Sequence, residues 1–171
     1  MGFALRTGDD GRLRVRPSPD TASLTGNGPY VVVHPGAGDP ARAWDAERGA
    51  ETVARLCDAG HRVVVTGGAG ETALTRRVSG DAAVDLGGRT TARALAGVLR
   101  SADALVTGSA GPALLAAAVG TPVVSLPGSA PAAADRAPYQ VPSVCVEARD
   151  GDPGAADAVV RAVRRLLGTA G

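Results

Sequence analysis

Short β-branched runs alternate with helix-like stretches along most of this chain. Residues 30–34 read Tyr-Val-Val-Val-His and residues 62–66 read Arg-Val-Val-Val-Thr. Weaker or shorter runs at 82–86, 104–107, 122–126 and 143–146 complete a set of six predicted strands. Between them apolar residues recur at the spacing of a helix face. Ala46, Ala50, Val53, Ala54 and Cys57 fall on one such face over 45–58, and Leu95, Ala96, Val98 and Leu99 on another. A short helix is expected over 71–78. Thr90 can cap the helix that follows 87–88, and Pro112 suits the first position of a helix over 113–119, where no amide donor is needed. A last helix over 153–167 carries Val159, Ala162, Val163 and Leu166 as its apolar stripe, with Arg161, Arg164 and Arg165 on solvated faces.

The strands are nearly continuous in apolar residues, which is the pattern of a parallel sheet covered on both faces. Right-handed crossovers then give an α/β, doubly wound, mostly parallel six-stranded sheet of Rossmann type. In the common strand order 3-2-1-4-5-6, the winding reverses between the first and fourth strands, and ligands bind outside the strand ends at that point. Residues 1–28 are polar and broken by Pro17, Pro19, Gly26 and Gly28. They are expected to form a tail or linker, leaving 29–171 as one domain.

Composition narrows the function classes. Hydrophobic residues make up 44% of the 171 positions and the net charge is +1, which excludes a disordered chain and argues against a nucleic-acid binder. All 18 basic residues are arginine. With no lysine, Schiff-base chemistry and the lysine of a phosphate-binding P-loop are both excluded. No apolar run approaches the roughly 18 residues of a membrane span, and no signal segment opens the chain, so the expected location is the cytoplasm. Cys57 and Cys145 are expected as buried, reduced thiols. No Cys/His cluster has metal-ligand spacing, so no metal is expected.

The candidate chemistry sits at two glycine turns. His34-Pro-Gly36-Ala37-Gly38-Asp39 follows the first strand, and Gly108-Ser109-Ala110-Gly111-Pro112 follows the fourth. Glycines let backbone amides approach a ligand, and a helix N-terminus adds about half a positive charge, so together the turns can cradle a diphosphate. Arg42 would add a forked cationic donor at the same mouth. The dinucleotide fingerprint G-x-G-x-x-G is not met, because Gly38 continues into Asp-Pro-Ala. His34 ends a strand at the crevice and could touch a ligand, Trp44 is expected to pack under the first turn, and His61 is expected on the surface.

At these turns the sequence resembles the C-terminal half of glycosyltransferase family 9, the ADP-heptose:lipopolysaccharide heptosyltransferases of GT-B fold. The pieces run in the family's order over about 29–146. They are Val-Val-Val-His-Pro-Gly-Ala at 31–37, Arg42-Ala-Trp44, Gly-His-Arg-Val-Val-Val-Thr-Gly-Gly at 60–68, Glu71, and Asp-Leu-Gly-Gly-Arg-Thr at 85–90. Ala-Gly-Pro-Ala-Leu-Leu-Ala-Ala-Ala-Val-Gly-Thr-Pro-Val-Val at 110–124 and Pro138-Tyr139 complete the set.

The resemblance implies a domain that binds a nucleotide sugar, ADP-linked, as substrate, with no separate cofactor. Gly36, Ala37, Gly38, Arg42, Gly68, Glu71, Ser109, Ala110 and Gly111 would form the nucleotide and diphosphate site. Arg42 matches a phosphate-contacting lysine, Glu71 an acidic residue that helps to hold the ribose, and Ser109-Ala110-Gly111 an Asp-(Ser/Thr)-Gly segment. The family's aspartate is Ser109 here, its hydroxyl residue Ala110, its later histidine Leu114, and the proline usual after tryptophan Asp45. In the family the acceptor domain and catalytic carboxylate precede this region, so residues 1–28 are expected to be the interdomain connection. Sugar transfer would then need such a domain in cis or in trans, or a homodimer, and this chain alone would be inactive. No catalytic residue is identified; Asp39 and Asp135 are the local carboxylates that could serve as a base. The alternative is a degenerate, non-catalytic GT-B half that acts in protein interaction or assembly.

Overall fold

The structure, a computed structural model, describes residues 19–39, 43–126, 141–148 and 152–168. Arg42, Asp135, Pro138 and Tyr139 therefore lie outside the described residues, as does most of the segment expected as a tail or linker. Within 19–28 the chain forms a short helix, α1 (Ala22–Thr25), with Thr21 and Thr25 buried. The breakers on either side hide this helix from periodicity. The Arg62 guanidinium holds the helix end, donating to the carbonyl oxygens of Thr25 at 2.5 Å and Asn27 at 2.7 Å.

From there the alternation is as expected: β1 (Val31–His34), α2 (Ala46–Asp58), β2 (Val63–Val65), a 3-10 turn at Ala69–Glu71, and α3 (Thr72–Ser79). Then come β3 (Val84–Asp85), α4 (Ala92–Arg100), β4 (Ala104–Thr107), α5 (Ala110–Val119), β5 (Val123–Ser125), β6 (Ser143–Cys145) and α6 (Ala155–Gly168). All strand pairs are parallel, and the order across the sheet is β3-β2-β1-β4-β5-β6. The doubly wound α/β class, the strand number and the position of the reversal between β1 and β4 are those read from the sequence.

The period-two geometry of strands splits the apolar residues between two cores. Val31, Val33, Val63, Val65, Val106 and Val124 face one side and meet Val53 and Leu56 of α2 and Val159, Val163 and Leu166 of α6. Val32, Val64, Leu105 and Val123 face the other side with Val98 and Leu99 of α4 and Ala116 of α5. The central strands have no exposed face, hence their unbroken apolar runs.

Several local expectations are corrected. In α2 the buried residues are Gly49, Thr52, Val53 and Leu56, while Ala54 is exposed. Gly49 belongs to that face because Val78 of α3 packs where a side chain would stand. Thr91, not Thr90, caps α4 through the amide of Ala94 at 3.1 Å. Helix α5 begins at Ala110, so Pro112 occupies its third position rather than its first. Proline is tolerated there because first-turn amides have no partner within the helix. Cys145 is exposed because β6 is an edge strand, and Cys57 is only partly buried; both are free thiols. Burial pushes the Cys57 thiol above its ordinary pKa, with Asp58 adding to the effect. His61 is partly buried, not on the surface, and its Nε2 is enclosed without a hydrogen-bond partner among the described residues.

Candidate functional site

The two glycine turns leave adjacent strands at the same level. His34 at the end of β1 pairs in register with Thr107 at the end of β4. Both turns therefore open at the carboxyl edge of the sheet, at the point where the winding reverses.

Buried side chains tie the ends of three strands together. Thr107 donates its hydroxyl to the carbonyl oxygen of His34 at 3.1 Å and accepts from the amide of Ser109 at 3.0 Å. On the other flank, His34 Nδ1 lies 2.9 Å from the hydroxyl of Thr66, the residue that follows β2. Thr66 is 0% and Thr107 1% exposed, so these bonds lie out of competition with water. Burial holds the His34 imidazole below its usual pKa, partly offset by the Glu71 carboxylate, and His34 is neutral near pH 7. Sequence reading treated both threonines as strand ends. The missed signal is a hydroxyl residue standing immediately before a glycine at each strand terminus.

The first turn is packed from within. Pro35 and Gly36 are buried, Ala37 is half-buried and Gly38 is exposed. The Glu71 carboxylate rests against Gly36, where even a methyl group would overlap it. Glu71 also accepts from the amide of Gly68 at 2.7 Å. Gly36 thus makes room for a protein carboxylate, while among the described residues nothing crowds Gly38. Trp44 packs partly buried against the first core, and its amide donates to the Pro35 carbonyl at 2.9 Å, closing the turn.

The second turn leads straight into α5. Ser109 stands at the N-cap without a side-chain capping bond, Ala110 and Gly111 are exposed, and nothing crowds Gly111. One turn further on, Leu114 is 42% exposed, and among the described residues it is the large apolar side chain most open to solvent. The structure thus brings Gly36, Ala37, Gly38, Gly68 and Glu71 to one side of the crevice and Ser109, Ala110 and Gly111 to the other. Asp39 is exposed at the rim of the first turn.

A cavity of about 530 Å³ lies between the N-terminal ends of α2 and α6. Among the described residues its wall holds Asp45, Glu47, Glu51 and Asp152 against one guanidinium, Arg48, and no residue of either glycine turn. An acidic wall of this kind repels a phosphate, so the cavity is no rival to the crevice for an anion. Among the described residues no cluster of His, Cys, Asp and Glu could hold a metal ion, and no helix is long and apolar enough to cross a membrane.

Comparison with known proteins fits this geometry. The family model described as glycosyltransferase family 9 (heptosyltransferase) matches residues 10–153. No curated protein sequence matches significantly. Among solved structures, the ADP-heptose lipopolysaccharide heptosyltransferase II of E. coli superposes with a TM-score of 0.71 at 24% identity, over 86% of this chain and 49% of that one. A family 9 glycosyltransferase from Veillonella parvula gives 0.69 at 20% identity, over 87% and 49%. An E. coli heptosyltransferase solved with ADP gives 0.59 at 21%, over 80% and 43%. This chain spans about half the length of these structures, and its Rossmann-like fold corresponds to one half of a GT-B molecule.

Proposed function

The chain belongs to glycosyltransferase family 9, and on that premise we propose that it binds the nucleotide diphosphate of a sugar donor in the crevice between β1 and β4. The observation that carries this reading is the pairing of His34 with Thr107, which sets both glycine turns at one mouth. The α5 amides supply a helix N-terminus whose partial positive charge suits a diphosphate. Gly38 supplies the close backbone approach on the opposite side, and Arg42 is assigned as the cation that completes the cradle.

Glu71 sorts the ligand's orientation. A carboxylate repels phosphate but accepts hydrogen bonds from sugar hydroxyls. With one oxygen bonded to the Gly68 amide, the remaining lone pairs are available to a ribose. The ribose therefore lies toward Glu71 and the diphosphate toward α5. In sugar transfer, the amides stabilise the charge that develops on the leaving diphosphate as the glycosidic bond breaks. A base that takes the acceptor's proton is also required, and we assign it to an acceptor domain in cis or in trans. The E. coli relatives solved with ADP and with ADP-2-deoxy-2-fluoro heptose support an adenine donor.

Isothermal titration of the 171-residue chain with ADP, UDP and an ADP-sugar tests the proposal. Binding of ADP with no sugar transfer by this chain alone is expected. No heat from any of the three at millimolar concentration overturns the reading.

A second reading, a non-catalytic interaction domain, is favoured by α5 itself. This helix is apolar over its whole length from Ala110 to Val119, yet only Ala116 is fully buried. A chain that self-associates through Leu114 and ignores nucleotides would establish the second reading.

A further inference from the structure

The hydroxyl of Thr107 forms a directed relay across the crevice. A threonine has one hydroxyl proton, and Thr107 commits it to the His34 carbonyl. The lone pairs left over then accept the Ser109 amide. The first bond reaches the end of the strand that feeds the first glycine turn; the second grips the N-cap residue of α5. Both ends are backbone, and the hydroxyl between them is buried, so the rotor has a single satisfied orientation. The distance between the two turns is therefore set by one side-chain oxygen as well as by the β-ladder.

We propose that Thr107 is a positioning residue for diphosphate binding, its hydroxyl holding the α5 amides in register with the first glycine turn. The inference rests on the diphosphate reading of the crevice and adds to it which side chain sets the geometry. Thr107 itself does not touch the ligand. Its effect passes through Ser109 and His34, and misplacing a binding group by about 1 Å is enough to matter.

The test pairs Thr107→Val, which keeps the shape and removes the hydroxyl, with Thr107→Ser, which keeps the hydroxyl. Should the valine variant not fold, Thr107→Ala, which adds no volume at the strand end, replaces it. The dissociation constants of ADP and of inorganic pyrophosphate are measured by calorimetry, and the Ser109 amide proton is followed by NMR without ligand. Loss of the relay is expected to raise both dissociation constants about tenfold or more, and the serine variant is expected to stay within about threefold of the parent. The ligand-free Ser109 amide proton is expected to shift upfield in the valine variant alone. Unchanged affinities in a valine variant whose parent binds, or an unmoved Ser109 amide, overturn the proposal. Failure of the parent chain to bind either probe defeats instead the diphosphate reading beneath it, a result the ligand-free amide shift keeps distinct.

Discussion

The two glycine turns look alike in sequence and are built in opposite ways. After β1, the turn is filled by the protein itself: the Glu71 carboxylate covers Gly36, and the helix that follows is capped by Asp45, whose side chain accepts from the amides of Glu47 and Arg48. After β4, Ser109 offers α5 no side-chain cap and the first turn of the helix is exposed. A carboxylate already answers the positive end of α2, whereas among the described residues α5 has no such partner. The difference supports the proposed placement of the donor's diphosphate at α5, with the first turn as the wall against which it is oriented.

The heaviest blow to this contrast falls at His34. Replacing it with alanine removes a buried ring and strands the Thr66 hydroxyl, and we expect a loss of about 2–4 kcal/mol in urea unfolding. The same residue makes the first turn sensitive to acid. Burial depresses its pKa in the fold below the ordinary 6.5, so the unfolded chain takes up a proton first. Stability should be full above about pH 6.5 and fall as the pH drops through the lowered folded value. A urea midpoint that holds constant from pH 8 to 5, or one that declines equally in His34→Gln, would refute this.

Gly36→Ala is expected to cost less, about 1–2 kcal/mol, because the displaced Glu71 carboxylate can swing away at the expense of its bond to Gly68. A crystal structure of the variant should show that carboxylate moved; an unmoved Glu71 would mean that the contact does not define the wall. The caps give the sharpest pair. Asp45→Ala should cost about 1 kcal/mol, and Ser109→Ala should stay within about 0.5 kcal/mol, since only the first side chain makes a capping bond. Equal losses in thermal melts of the two variants would erase the distinction between the helices. Smallest of all, Gly111→Ala should leave stability unchanged or raise it by up to about 1 kcal/mol, because open space surrounds the new methyl and alanine favours helix.

The central strands were legible because β1, β2 and β4 are buried on both faces and cannot carry polar residues without cost; their order is the common one of the doubly wound class. Helix starts were less so. Gly108-Ser-Ala-Gly reads as a turn, yet Ala110 and Gly111 are already helical, since a first turn tolerates glycine and proline alike. The crevice was visible through its glycines, but its fastenings were not. A glycine after Thr66 and after Thr107 is the one local cue, and only the pairing of strands distant in sequence gives their hydroxyls partners. Nor did the pattern foretell that Gly36 shelters a side chain, which depends on Glu71 arriving from the neighbouring crossover.

Arg62 has a consequence for handling the protein. Its grip on the segment after α1 joins a permanent cation to neutral carbonyl dipoles rather than to a carboxylate. Short charge–dipole contacts are felt over a bond length and escape most of the ionic screening that dissolves exposed ion pairs. Concentrated salt or mild alkali, used to strip loosely attached segments, should therefore leave this one seated against the sheet.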